Sequence, residues 1–404
     1  MTSKPASKLL LLSAIFAYLL IGIEIIIMIT PFALYFYSVY GPILRFLSSS
    51  PLTAWTTEFF LPHMVFPNDP LITAISYLQI LLIVGLVLFF AAAIPLYYGR
   101  FTGKGVVQRA FYSWNRHPQY LFLAISGFGL LLYWPRFIIL LMYITMLFVY
   151  YLLACNEEWR MKQEAPGRYE EYMAKTPMFL PGEPGGKLFR LLFGWIRPKG
   201  LGLFAAYLIT LCLGTLLAMG LRTYTVHHLP LARADNMTLV SVFPRPASEM
   251  RDLYHLVLQD PRVRDQLRDK KGANLAYIMP GDFFLTALVT EEQRRFSEDM
   301  IQRFPEILEW HQHKFHGGLG RFFRIFYNYV HTWSVGETDY SVERLIFVEV
   351  THNGRPVPPG KVFDLGDRRM PTLIVDVDAF TEKILAVVPT SAKNKWGTMP
   401  MPTF

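Results

Sequence analysis

Two apolar runs decide the architecture: Tyr120–Tyr133 (YLFLAISGFGLLLY) and Phe137–Ala154 (FIILLMYITMLFVYYLLA), parted by Trp134-Pro135-Arg136. Proline cannot continue a helix, so the spacing predicts a helical hairpin. The first arm has 14 residues, about 21 Å at 1.5 Å per residue. That crosses a bilayer incompletely unless the helix extends back through the His117 region.

Three further apolar stretches flank the hairpin. A spanning helix needs roughly 20 apolar residues, and Leu9–Thr30, Leu71–Tyr97 and Leu201–Leu221 all qualify. The first follows Lys4 and Lys8 but is too long for a signal-peptide core, and no small-residue cleavage site follows it, so it reads as a retained span. Pro31 is expected to break or kink it. Residues 32–68 are aromatic, proline-punctuated and weakly charged, which suits an interfacial excursion with one more short helix. Basic residues cluster in 100–116 and 155–199, and the positive-inside rule assigns both segments to the cytosol. With a cytosolic N-terminus, five spans put residues 222–404 on the opposite side; a sixth crossing within 32–68 would reverse that parity.

Composition agrees with this division. Residues 1–221 carry 16 Lys+Arg and 9 Asp+Glu, whereas residues 222–404 carry 23 and 22. The first part is membrane-like and the second has the charge content of a water-soluble domain. The basic excess lies in the apolar part and accompanies no nucleic-acid motif, so nucleic-acid binding is not expected. Cys155 and Cys212 both fall in the membrane part, and the soluble part has no cysteine, so no disulfide framework is expected.

Polar chemistry concentrates at the mouth of the hairpin. Arg116, His117, Gln119 and Tyr120 precede it, and Glu157 and Glu158 follow it. Pro118 biases His117 away from helical backbone angles. A hairpin returns its two ends to one place, so these cations and acids should share a pocket at the membrane surface, suited to a zwitterionic cofactor meeting a lipid-borne partner. The same residue types also mark helix ends as a snorkelling collar, and Glu157-Glu158 also suits a solvated helix turn.

The order Arg116-His117-Pro118-Gln119-Tyr120, hydrophobic hairpin, Glu157-Glu158 resembles the signature of the isoprenylcysteine carboxyl methyltransferase and phospholipid methyltransferase superfamily. Tyr112 and the later Gly167, Tyr169, Tyr172, Pro177, Phe179 and Pro181 are similar as well. The resemblance covers about a fifth of the chain. It implies an integral-membrane enzyme that uses S-adenosylmethionine to methylate a lipophilic or lipid-anchored acceptor, isoprenoid, prenyl or phospholipid in type, at the cytosolic face of a bacterial inner membrane or an endomembrane. It further implies that His117, Gln119, Tyr120, Glu157 and Glu158 hold the cofactor, that Tyr169 and Tyr172 line its cleft or anchor at the membrane surface, and that Arg116 and Glu158 are the catalytic candidates. One glutamate would meet the cofactor's ammonium or ribose hydroxyls. Arg116 would hold an acidic acceptor or a phosphate headgroup. Two positions depart from the family, which often has glycine where this chain has Ala110 and Phe122. Membrane sterol reductases share a related Arg-His-Pro region and use NADPH, and a decayed core anchoring a binding domain would need no cofactor.

Residues 222–404 are expected to form an α+β domain. Helical periodicity covers 248–271 and 288–311, the latter led by Glu291 and Glu292; strands are expected at 345–351, running into a tight turn at His352-Asn353-Gly354, and at 373–378 and 384–388. His311, His313 and His316 do not share one helix face and suit a polar surface better than a metal site. Asp376 and Asp378 share a strand face and read as surface. His227 and His228 read as an interfacial collar. Gly103-Lys-Gly105 is too short for a phosphate cradle. Asn236-Met-Thr238 is a glycosylation acceptor pattern only in a eukaryotic secretory setting. Glu24 is an acid within the first span, either functional or paired with another helix. The expected organisation is therefore 1–98, N-terminal spans and interfacial segment; 99–199, methyltransferase core; 200–221, last span; 222–404, soluble α+β domain. Metal binding is not expected, and the oligomeric state is open.

Overall fold

The computed structural model describes residues 5–38, 41–63, 65, 67–102, 110–269, 273–280 and 342–389. Two units emerge, one formed by Met1–Tyr40 with Ala74–Leu221 and the other by Gly41–Thr73 with Arg222–Phe404. The 1–98 grouping expected from sequence is therefore divided, because residues 41–73 fold with the C-terminal domain.

The first unit is helical. Helix α1 spans Pro5–Tyr37, α4 Leu81–Phe101, α5 Pro118–Tyr133, α6 Phe137–Glu164, α7 Arg168–Lys175, α8 Pro184–Phe193 and α9 Lys199–His228. Helices α2 (Gly41–Ser48) and α3 (Pro70–Tyr77) lie in the intervening stretch, and a short 3₁₀ turn joins α3 to α4. Among the described residues, four helical segments are long and apolar enough to cross a membrane: Tyr18–Tyr37, Pro70–Gly99, Phe137–Glu164 and Lys199–His228. About five spans were expected. The remaining candidate, α5, extends back to Pro118 but has 16 residues, about 24 Å, short of a hydrocarbon core of about 30 Å.

Helix α1 continues through Pro31 to Tyr37 instead of ending there. Proline removes one backbone donor, a loss neighbouring helices can absorb in a membrane-type environment. Beyond it the Tyr35 hydroxyl donates to the Gly127 carbonyl at 2.7 Å, holding the helix against α5. Helix α4 meets α5 at closer range: a Cβ at Gly129 would overlap the Leu82 backbone and one at Gly85 the Ser126 backbone. Small residues that let helix backbones touch are a recurrent packing device in membranes. The Ser126 hydroxyl completes the seam by donating to Leu82 O at 2.9 Å. Helix α5 also lies along α6, where the Tyr143 hydroxyl donates to Ala124 O at 3.1 Å and the Tyr120 and Tyr150 rings stack 4.8 Å apart. Glu24 pairs with Arg160 of α6 at 3.1 Å, the helix–helix alternative of the two read from sequence.

The second unit is built on a sheet of β1 (Leu231–Ala234), β2 (Met237–Ser241), β3 (Ala273–Pro280), β4 (Val342–His352), β5 (Arg355–Pro356), β6 (Arg368–Asp378) and β7 (Lys383–Pro389). Among the described residues the order is β1-β2-β3-β4-β6-β7, with β5 on the edge of β4. Every pairing is antiparallel except β2 with β3. That parallel pair needs a crossover, supplied by α10 (Ala247–Gln259) and α11 (Pro261–Asp269). The single helix expected over 248–271 is divided because Pro261 forces Asp260 into an extended conformation. Alternate residues face opposite ways: Ala276, Ile278, Leu345 and Phe347 pack with Met250, Tyr254 and Val257 of α10, while Leu275, Tyr277, Ile346 and Val348 pack with Val65, Val362 and Phe363. The tight turn at Asn353-Gly354 has positive φ at both residues, as a two-residue hairpin requires.

Asp376 is a correction to the surface assignment. It is buried and accepts two hydrogen bonds from Arg344, its cross-strand partner, at 2.8 and 2.9 Å. Asp378 instead accepts the Phe380 and Thr381 amides in the following turn. Helix α9 outlasts its expected end because His227 and His228 bond back to the Thr223 and Tyr224 carbonyls. Residues 288–311, Glu291, Glu292, His311, His313, His316 and Gly103-Lys-Gly105 lie outside the described residues.

One buried ion cluster attaches residues 41–73 to the sheet. Arg369 donates from Nη1 to both Glu58 carboxylate oxygens, at 2.9 and 2.8 Å, and from Nε and Nη2 to the carbonyls of Val362 and Asp364. Arg222 lies 3.9 Å from the same carboxylate and donates to the Phe59 and Phe363 carbonyls. Removing one member of a buried ion pair costs about 3–5 kcal/mol because the other charge is left uncompensated. Glu58→Ala should therefore destabilise the second unit by that order, read as a lower midpoint in thermal or denaturant unfolding. Glu58→Met with Arg369→Met should cost less than Glu58→Ala alone.

Candidate functional site

The site begins with a local conflict at His117. Pro118 sits at the first position of α5 and keeps His117 outside the helix, at φ −127° and ψ 57°. The backbone just before it pairs sideways with the segment after α7: the Arg116 amide donates to Pro177 O at 3.0 Å and the His117 amide to Met178 O at 3.3 Å. Asn115 reinforces this pairing, accepting the His117 amide at 2.7 Å and donating to Phe179 O at 2.7 Å. The side chains of Arg116, His117 and Tyr120 are thereby turned toward the last part of α6.

There they meet both glutamates. His117 Nδ1 lies 3.4 Å from Glu157 and Nε2 lies 3.3 Å from Glu158. Arg116 Nε donates to Glu158 at 2.7 Å, and the Tyr120 hydroxyl donates to Glu157. An imidazole with an acceptor at each nitrogen can satisfy both only when protonated. Burial pulls the His117 pKa down, but the hydrogen bonds and charges of the two carboxylates outweigh it and hold the group above the ordinary histidine value. With His117 protonated, two cations face two anions and the cluster is neutral, the condition under which buried charges are tolerated.

The two glutamates are not equivalent. Glu158 is 8% exposed and engaged by Arg116 and His117, while Glu157 is 29% exposed. Consecutive helical residues point about 100° apart, so one is turned inward and the other toward the opening. Arg116 is spent on the protein: besides Glu158, its Nη1 serves the Met173 and Thr176 carbonyls and its Nη2 lies 3.6 Å from Glu183. It holds α6, α7 and the residues after α7 together.

The remaining expected residues form a second ring. Gln119 accepts from the Tyr112 hydroxyl at 3.1 Å, and the Tyr172 hydroxyl donates to Tyr112 O at 2.5 Å. Tyr169 is buried, and burial together with the Glu158 charge pushes its phenol above the usual tyrosine range. Burial pushes Tyr172 up to about 12. Asn115, Tyr150 and Glu183 also belong to the site, and sequence reasoning missed them. Tyr150 had a signal, lying seven residues before Glu157 and thus on the same α6 face. Asn115 acts through backbone partners, and Glu183 through the Met178 amide together with the distant Arg116, which no side-chain spacing reports. Among the described residues, no group of three or more His, Cys, Asp or Glu is arranged to hold a metal ion.

The two positions at which the motif resemblance breaks down, Phe122 and Ala110, have defined surroundings. Phe122 is buried edge-on against Phe111, with ring centres 5.1 Å apart. Ala110 adopts φ +53°, a left-handed conformation that glycine reaches without cost. No family model, curated protein or solved structure matches the chain.

Two measurements test this geometry. His117 binds its proton more tightly folded than unfolded, where the pKa is about 6.5. Its stabilising contribution is complete below about pH 6.5 and is lost as the pH rises through the raised native value. Thermal unfolding in detergent should show the first unit weakening as the pH rises above about 6.5, and His117→Gln should flatten that dependence. Separately, Ala110→Gly should relieve left-handed strain and change stability by no more than about 1 kcal/mol in the favourable direction, since glycine's extra unfolded-state entropy offsets part of the gain.

Proposed function

We propose that the chain is an integral-membrane S-adenosylmethionine-dependent methyltransferase acting on a lipophilic or lipid-anchored acceptor at the cytosolic face. The observation that carries this reading is the meeting of Arg116, His117 and Tyr120 with Glu157 and Glu158, residues from both sides of the α5–α6 pair that the motif resemblance singles out.

The donor set suits the cofactor. Glu157 keeps an exposed portion while His117 and Tyr120 fix its oxygens, so it is the carboxylate available to an ammonium group or a ribose hydroxyl. Glu158 acts behind it, fixed by Arg116 and orienting His117. Arg116 is a positioning residue on this reading, not a catalytic one. Its guanidinium is committed to Glu158, Glu183 and carbonyls. S-adenosylmethionine, when bound, would supply a methyl group activated on a sulfonium for an acceptor's electron pair, with the thioether as the leaving group. The protein contributes positioning and a water-poor environment, which matter most when an anionic acceptor meets a cationic donor. An anionic carboxylate or thiolate acceptor needs no base; an amine or hydroxyl would need one.

Chain connectivity supports a five-span topology. Glu58 precedes α3, and Arg222 and Arg369 follow the membrane portion of α9, yet they share one ion cluster. Residues near 58 and the sheet domain would then lie on one side of the bilayer, which needs an even number of crossings between them. The three long segments from Pro70 to His228 make an odd number; on this reading the shorter α5 is the fourth crossing, accommodated by local thinning of the bilayer. Counting α1, five crossings agree with the positive-inside assignment and put residues 222–404 on the non-cytosolic side.

The test is direct titration of the full-length protein in nanodiscs. S-adenosylmethionine should bind, and Glu157→Gln and Tyr120→Phe should each weaken it by about tenfold, the scale of one charge-assisted hydrogen bond. Binding of NADPH without S-adenosylmethionine would overturn the assignment. Cells with and without the gene should then differ by one lipid species carrying an added methyl group, seen by mass spectrometry.

A further inference from the structure

The geometry points to α8 as an in-plane anchor for anionic phospholipid headgroups, coupled to the site through Glu183. This inference concerns the membrane surface and does not depend on which reaction the site performs.

Helix α8, Pro184–Phe193, divides into three faces. Phe189 and Phe193 stack on each other with centres 5.7 Å apart, and the Phe189 ring turns back onto the start of α9, 3.5 Å from where a Cβ at Gly202 would stand. Leu188, Leu191 and Leu192 point outward, and Leu191 is 77% exposed. Trp195, just past the helix, is 78% exposed. Lys187 and Arg190 lie on the remaining face. Such a row of open leucines with a tryptophan is a poor surface for water, whereas leucine and tryptophan on one face with lysine and arginine on another mark helices that lie at a lipid headgroup boundary.

Charge and continuity name the occupant. Lys187, Arg190, Arg197 and Lys199 fall within 13 residues, and no Asp or Glu occurs from Pro184 to His228. The charges from Lys187 to Lys199 are all positive and so complement an acidic lipid surface. The segment also runs directly into α9, long and apolar enough to cross a membrane, so the open leucines adjoin the place where that helix would enter the bilayer.

The other end of α8 touches the site. Glu183, the residue that starts the helix, holds φ +47°. Its carboxylate accepts the Met178 amide at 3.1 Å and lies 3.6 Å from Arg116 Nη2. Met178 in turn accepts the His117 amide. Docking α8 on lipid therefore orders the segment that seats Arg116 and His117.

The test uses the full chain with Cys155→Ala and Cys212→Ala, spin-labelled through Leu191→Cys and reconstituted in vesicles. With phosphatidylglycerol present, the nitroxide should collide with oxygen more readily than with a water-soluble nickel chelate. In pure phosphatidylcholine that preference should weaken. Lys187→Glu with Arg190→Glu should shift the docked-to-undocked ratio by about 30-fold or more. Met178 amide exchange should slow in the acidic vesicles, and Glu183→Ala should abolish that slowing while the nitroxide stays immersed. A nickel-accessible label in both lipids would overturn the anchor, as would shielding that follows protein concentration in place of lipid charge, which would make α8 a contact between two copies. Equal Met178 exchange in both lipids would overturn the coupling.

Discussion

Two adjacent carboxylates near the end of an apolar helix cannot be buried alone, and the surroundings of the site follow from that constraint. Glu157 and Glu158 need two positive charges, and Arg116 and His117 supply them from the start of the preceding helix. Once paired, Arg116 has donors left over, and it uses them on the Met173 and Thr176 carbonyls. The residues after α7 are thereby drawn in and pair with the backbone of 115–117. A single electrostatic requirement thus organises three elements that share no hydrophobic pattern.

A second buried cluster does the same work in the other unit. Glu58, Arg222 and Arg369 are all nearly inaccessible, and the guanidinium groups also take the carbonyls of Phe59, Val362, Phe363 and Asp364. A buried ion pair is weak evidence of net stability, but it is demanding about geometry. It selects one arrangement of the loop before α3 on the sheet.

Much of the architecture was legible in the amino-acid sequence. The long apolar stretches, the break at Pro135 and the strands around Leu345, Leu373 and Ile384 follow from period and composition, because burial of apolar side chains repeats with the backbone. The displacement of His117 from the helix is equally local, set by Pro118. Other features were misjudged where a distant partner overrode a local signal. Pro31 does not end α1, since Tyr35 is held by Gly127 further on. Asp376 is not a surface residue, since Arg344 reaches it across the sheet. The helix expected over 248–271 is two, since Pro261 acts on the residue before it.

The sequence by itself determined that a polar cluster stands at the mouth of an apolar helix pair, and which residue types it contains. Helix order and motif spacing suffice for that, because they fix which chain ends return to each other. Only the tertiary structure decided how the cluster is divided: Glu158 turned inward and saturated, Glu157 left partly open, Arg116 committed to holding neighbouring segments. It also decided that residues 41–73 belong with the sheet, through a contact between Glu58 and Arg369 that lie 311 positions apart. Side-chain direction and long-range ion pairing depend on which neighbour arrives, and no local period in the chain encodes that choice.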